Sequence, residues 1–133
     1  YGLLLLYPNT GQRMMSPWLA VFLGGGAGSL LRYGLGLFLR RGDGSFPWGT
    51  FAANVLGCFL IGLFYALSSR FSLTAEVRLL LTTGLCGGFT TFSTFSYESL
   101  QLFQQGHYLL FFTYIVASLT LGLLAVWLGS RLL

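Results

Sequence analysis

Glycine and hydroxyl residues are concentrated in residues 84–96, within a segment otherwise apolar enough to cross a membrane. Its three glycines each weaken a helix by about 1 kcal/mol relative to alanine. Backbone polar groups in lipid must be satisfied within the protein, so such a patch is tolerated only where it is buried or lines a wet path. The stretch therefore predicts a helix break and an ion-permeation site. The glycines are Gly84, Gly87 and Gly88, the hydroxyl residues Thr90, Thr91, Ser93, Thr94 and Ser96, and the phenylalanines between them Phe89, Phe92 and Phe95.

Two further pairs of polar residues have the spacing of a single helix face. Thr50 and Asn54 are four residues apart, and so are Tyr114 and Ser118, with Gly122 following on the same side. Asn54 has two interpretations: a helix–helix hydrogen bond worth less than about 2 kcal/mol, or a donor that lines the path. For Ser118 the simpler interpretation is a hydrogen bond back to its own helix.

Two charged residues, Arg32 and Glu98, fall inside predicted membrane spans and beyond their first turn. A charge within a span is costly and usually faces a cavity. Arg32 therefore either snorkels to the membrane surface or faces a water-filled vestibule. Glu98 lies toward the far end of its span and is a second vestibule candidate.

No group of side chains predicts an enzyme or a metal centre. The three carboxylates are widely separated and offer no acid–base pair, and a single histidine without a cysteine cluster does not make a zinc site. Cys58 and Cys86 lie inside apolar segments and are interpreted as small buried residues. We therefore predict a protein that is not an enzyme.

The composition is that of an integral membrane protein. Of the 133 residues, 55% are hydrophobic and 8% are charged, whereas soluble domains carry about 25% charged residues. We predict an all-α membrane protein with a single domain over residues 14–133, preceded by an N-terminal extension, residues 1–13, that is disordered or not native. Four spans position the polar residues, and the third contains the break. They cover residues 17–39, 48–69, 75–104 and 108–128.

All seven basic residues are arginines, and if the natural start is Met14, so that Arg13 is left out, three of them lie on one membrane side and two on the other. Orientation follows the bias in Lys and Arg, so a chain without a clear bias can insert both ways. We therefore predict an antiparallel, dual-topology homodimer, with the small residues Gly24, Gly25 and Gly28 as a closely packing face. The arginines lie near segment ends, which favours interfacial anchoring and argues against a nucleic acid partner. One side carries Arg13, Arg70, Arg78 and Arg131, and the other Arg40 and Arg41.

The motif Gly87-Gly-Phe-Thr-Thr-Phe-Ser-Thr-Phe95 strongly resembles the signature of the Fluc (CrcB) family of fluoride channels. Two other segments agree with that family in order and spacing, and the resemblance extends over residues 19–128. One segment is Gly24-Gly-Gly-x-Gly-Ser29 with Arg32, and the other is Gly49-Thr-x-x-x-Asn54 with Gly57.

The resemblance implies a fold, a function and a set of residue roles. Such channels are dual-topology dimers with two pores and a central, structural sodium ion, in the inner membrane of a bacterium, where multi-pass subunits export fluoride and protect against its toxicity. Phe92 and Phe95 are then expected to contact fluoride, Asn54 to be a pore-lining donor, and the backbone carbonyls of Gly87 and Thr90 to bind Na⁺. The implied polar lining is Ser93, Thr94, Tyr114 and Ser118, with Thr50 nearby. Gly122 stands where some relatives carry a second serine, which is a departure from the pattern.

The chemistry of these residue types agrees with the implied roles. A pore must replace the water around fluoride with donors, and amide N–H and hydroxyl groups supply them. The edge of a phenylalanine ring is electropositive, so it can face an anion without trapping it. Unwound backbone offers carbonyl oxygens to a cation.

Two other functions stay open from the residues alone. A proton-coupled small-molecule exporter is also built from four spans in two orientations. It needs a titratable carboxylate deep in the membrane, for which Glu98, toward the end of its span, is the candidate. A non-transporting assembly protein would use the glycines for packing only. Fluoride, membrane lipid and a second copy of the chain are the partners expected for the channel.

Overall fold

Helices make up all regular structure in the part of the chain that the computed structural model describes, residues 15–40, 42 and 45–133. The helices are α1 (Pro17–Phe38), α2 (Trp48–Phe71), α3 (residues 75–89), α4 (Phe92–Gln104) and α5 (Tyr108–Arg131). Helices α1, α2 and α5 are long and apolar enough to cross a membrane. They agree with the first, second and fourth predicted spans to within three residues at each end. The third predicted span is divided between α3 and α4, each shorter than the roughly 20 residues that a span requires.

Some predictions fall on residues outside the described part of the chain. These are the N-terminal extension at residues 1–13, the domain start at residue 14, and the side chains of Arg13 and Arg41. Each of them stays a prediction.

Helix starts follow local sequence signals. Proline occupies the first position of α1, at Pro17, where its missing N–H is not needed. At the start of α3 the Thr74 hydroxyl accepts a hydrogen bond from the Val77 N–H at 3.3 Å, so Thr74 is the N-cap. Ser72, which follows α2 as its C-cap, has a left-handed conformation with φ of 50°.

The predicted cause of the helix break was wrong, although the break lies within the expected stretch. Helix α3 continues through the glycines, as α-helix at Ala75–Leu79, π-helix at Leu80–Cys86 and α-helix at Gly87–Phe89. The chain leaves the helix at Thr90 and Thr91, both extended, with ψ of 157° and 118°. Gly84 and Gly88 serve close approach instead: a Cβ at Gly88 would overlap the carbonyl oxygen of Gly25 on α1. Tertiary packing here outweighs the low helix propensity of glycine.

Glycines bring the backbones of two helix pairs into direct contact. Between α1 and α3, a Cβ at Gly24 would overlap the Leu80 carbonyl oxygen, and one at Gly28 would overlap that of Leu85. Between α2 and α5, Gly62 lies against the Val126 carbonyl in the same way. The small face of α1, predicted to pack between subunits, thus packs within one chain, because α3 supplies a glycine-rich surface of matching depth.

Candidate functional site

Side chains from neighbouring helices and from the N-cap of α4 take over hydrogen bonds that the break between α3 and α4 removes. In an unbroken helix the N–H groups of residues 91, 92 and 94 would bond the carbonyls of residues 87, 88 and 90. Instead the Thr91 N–H donates to Asn54 Oδ1 at 2.7 Å, and the Thr94 N–H donates to Thr91 Oγ1 at 3.2 Å. The Gly88 carbonyl accepts from Arg32 Nε at 3.1 Å. The backbone at the break is therefore held by hydrogen bonds to the side chains of Asn54, Thr91 and Arg32.

Asn54 on α2 holds both backbone groups of one extended residue. Its Oδ1 accepts the Thr91 N–H, and its Nδ2 donates to the Thr91 carbonyl at 3.1 Å. The helix–helix interpretation of Asn54 is thus confirmed. It does not displace the pore interpretation, because Nδ2 carries a second N–H and Asn54 lines the cleft described below.

A carboxylate bonded by two hydroxyls joins three helices next to the break. Thr50 on α2 donates to Glu98 Oε1 at 2.8 Å, and Tyr114 on α5 donates to Glu98 Oε2 at 2.8 Å. Tyr114 is fully buried, and its ring centroid lies 4.9 Å from that of Phe95. Glu98 was predicted as a vestibule residue. Its carboxylate is half-buried and accepts hydrogen bonds from the hydroxyls of Thr50 and Tyr114.

An open cleft of about 540 Å³ runs along the break. Phe92 is 78% exposed, Phe95 is half-buried, and their ring centroids are 5.9 Å apart. The buried Ser118 Oγ has no hydrogen-bond partner among the described residues, so the interpretation of Ser118 as back-bonded to its own helix was wrong. The predicted site residues that line the cleft are Asn54, Gly87, Thr90, Phe92, Phe95 and Ser118.

The other predicted polar residues lie near the cleft but do not line it. Thr94 Oγ1 and Ser93 Oγ lie 3.1 and 3.4 Å from Thr91 Oγ1. Thr50 and Tyr114 belong to the carboxylate cluster. Thr91 belongs to the predicted stretch but was given no role of its own, although it is the N-cap of α4 and the partner of Asn54. Its signal was available: threonine is a preferred N-cap where a helix restarts.

The carbonyls of Gly87 and Thr90 fit the demand of a hard monovalent cation. In an unbroken helix they would accept from the N–H groups of Thr91 and Thr94, which here donate to side chains. Both residues line the cleft. Neutral carbonyl oxygens suit alkali and alkaline-earth cations better than transition metals.

Comparisons with known proteins cover the whole site. Residues 19–130 match the family described as CrcB-like protein, Camphor Resistance (CrcB). A protein of Phocaeicola vulgatus named fluoride-specific ion channel FluC is 60% identical over 116 residues, covering 86% of this chain and 96% of that protein. Proteins of the same name from Thermus thermophilus and Bacteroides fragilis are 52% and 50% identical, each over 116 residues, covering 86% and 84% of this chain and 91% of each protein.

Proposed function

The chain belongs to the CrcB family, and we propose that it is a passive, fluoride-selective ion channel and not an enzyme. The observation that carries this proposal is the cleft at the braced break, where Phe92, Phe95, Asn54 and Ser118 come together. The names of the relatives, which match over most of their length, support the same function.

The geometry supports selectivity for a small, strongly hydrated anion. Asn54 has a second N–H that can be offered to an ion in the cleft. Ser118 lines the same cleft, and its buried Oγ has no partner among the described residues. Phe92 and Phe95 can add electropositive ring edges. Because each contact is neutral and weak, an ion can also leave, as conduction requires.

We expect purified protein in liposomes to release fluoride and retain chloride. Chloride is larger and more weakly hydrated, so a narrow path lined with donors does not suit it. The measurement is efflux of each anion, at equal gradients and in the presence of valinomycin, followed with ion-selective electrodes. Comparable chloride and fluoride efflux would contradict the proposal, and fluoride movement only under a proton gradient would favour the exporter.

The functional unit of the proposed channel is an antiparallel, dual-topology homodimer. Phe92 is 78% exposed in the single chain, and the cleft beside it is open, so one copy does not enclose a path. A second copy would cover this surface and complete the wall. The chain would then lie as a multi-pass protein in the inner membrane of a bacterium and export fluoride, which protects the cell from fluoride toxicity.

Adding two lysines after Leu133 is expected to force one orientation and to lower activity when that variant is expressed alone. Lysine and arginine bias sets topology, and added C-terminal charges can flip it. Activity should return on co-expression with a partner biased the other way by lysines at Gly42 and Ser45. Fluoride efflux and cysteine labelling measure the two effects. Full activity of the first variant, with a single orientation shown by labelling, would contradict the antiparallel dimer.

We also propose that a sodium ion binds where the two breaks meet in the dimer, held by the Gly87 and Thr90 carbonyls of each copy. The loss of their helical donors, described above, supports this assignment. When bound, the ion would neutralise the dipoles of these carbonyls. A dimer structure without ion density between the breaks, or with oxygen distances typical of water, would contradict it.

A further inference from the structure

Arg32 contacts the backbone of the broken helix. Neither of the two predicted roles of its charge, snorkelling to the membrane surface or facing a water-filled vestibule, requires this contact. It lies six residues before the end of α1, which places its Cα roughly 9 Å along the axis from that end. Its side chain is half-buried, and Nε donates to the Gly88 carbonyl at 3.1 Å. The donor therefore points to α3.

The Gly88 carbonyl needs this donor because the break removes the one that a helix would supply. In an unbroken helix Gly88 would accept from the Phe92 N–H. Thr90 and Thr91 are extended, however, and α4 begins only at Phe92. Ser29 Oγ lies 3.5 Å from the same oxygen and adds at most a weak second bond.

One face of α1 surrounds Gly88. Gly25, Ser29 and Arg32 have the spacing i, i+4, i+7 and lie on a common stripe. The Gly25 carbonyl leaves no room for a Cβ at Gly88, while Ser29 and Arg32 reach the Gly88 oxygen. The last turn of α3 is therefore held both by close packing and by a directed hydrogen bond.

We propose that Arg32 is a positioning residue for conduction, acting through its Nε–H on the Gly88 carbonyl. Arg32 from α1 and Asn54 from α2 brace the break on its two sides, at Gly88 and at Thr91. Together they set where α4 starts and therefore where Phe92 and Phe95 lie. This inference rests on the proposed channel function.

Three substitutions separate the hydrogen bond from the charge. Arg32→Gln places Nε2 the same number of bonds from Cα as the arginine Nε, so it keeps the donor without the charge. Arg32→Met puts a methyl group there and keeps neither. Arg32→Lys keeps the charge, but its ammonium group is one bond further out.

The test is the unitary fluoride current in planar bilayers, together with the fluoride-to-chloride permeability ratio and the thermal midpoint in detergent. We expect Arg32→Gln to stay within about threefold of the wild-type current, and Arg32→Met to lose about tenfold or more along with part of the selectivity. Arg32→Lys should fall between them. Ser29→Ala, which removes only the weaker contact, should conduct like the wild type.

Two outcomes would overturn this inference while leaving the channel intact. If the positive charge of Arg32 serves to attract anions, Arg32→Lys conducts normally, while Arg32→Gln and Arg32→Met lose the same amount of current. That loss is then larger at low salt, where charges are less screened. If Arg32 serves only folding, Arg32→Met lowers the thermal midpoint but each open channel conducts and selects normally. If Arg32→Met does not assemble, the currents of the other two variants test the inference. A larger current from Arg32→Gln than from Arg32→Lys supports it, and the reverse order overturns it. Wild-type protein without fluoride current would refute the channel function itself, and this inference with it.

Discussion

Replacing Phe92 or Phe95 with isoleucine is expected to reduce fluoride efflux steeply while leaving the protein folded. Isoleucine keeps an apolar side chain but removes the electropositive ring edge. Hydrophobic swaps that roughly conserve volume usually cost less than about 1.5 kcal/mol of stability. A tenfold loss of flux corresponds to about 1.4 kcal/mol at the barrier, and we expect about a hundredfold loss from either variant. The measurement is efflux per reconstituted protein, with size-exclusion profiles to confirm assembly.

Phe112→Ile is the matched control for these variants. Phe112 is also an exposed phenylalanine, at 60%, but it lies on α5 outside the cleft. Its substitution should leave efflux unchanged. Unchanged efflux from both Phe92→Ile and Phe95→Ile would return the two rings to a packing role, and equal losses from all three variants would indicate a general effect on the protein.

Asn54→Leu is expected to abolish conduction and to destabilise the protein. Leucine has a similar size but leaves the Thr91 N–H and carbonyl without their side-chain partner. An unsatisfied buried group costs about 1–3 kcal/mol. Because Thr91 is only part-buried, the loss of both partners should cost less than twice that amount. The thermal midpoint in detergent and the fluoride efflux measure the two effects.

Asn54→Asp separates the hydrogen bond that Asn54 accepts from Thr91 from the one that it donates to Thr91. A carboxylate can still accept the Thr91 N–H, but it cannot donate to the Thr91 carbonyl, and its charge repels an anion. We expect a smaller loss of stability than with leucine, together with a comparable loss of conduction. Ser69→Ala, which removes a hydroxyl bonded to its own helix at Ala66, is the control and should change stability by less than about 0.5 kcal/mol. If Asn54→Leu were as stable as the wild type, the position of Thr91 would not depend on its two hydrogen bonds with Asn54.

Membrane class, the bounds of three helices and the stretch that contains the helix break were predictable from the sequence because their signals are local. Composition alone separates this chain from soluble domains, and long apolar runs ending at polar turns define α1, α2 and α5. The stretch at residues 84–96 predicted a break because a patch rich in glycine and hydroxyl residues is tolerated at membrane depth only where it is buried in protein or lines a wet path. The spacing of Thr50 with Asn54 predicted a shared helix face, and both side chains bond residues of the third predicted span, Glu98 and Thr91.

Only the tertiary structure decided which residues break the helix and what braces the break. Gly84 and Gly88 stay helical because α1 packs against them, while Thr90 and Thr91 become extended because side chains of other helices replace the lost backbone bonds. These contacts join residues far apart in the chain: 37 positions for Asn54 with Thr91, 48 for Thr50 with Glu98, and 56 for Arg32 with Gly88. Periodicity reports the face on which a side chain lies, whereas its partner depends on how the helices pack.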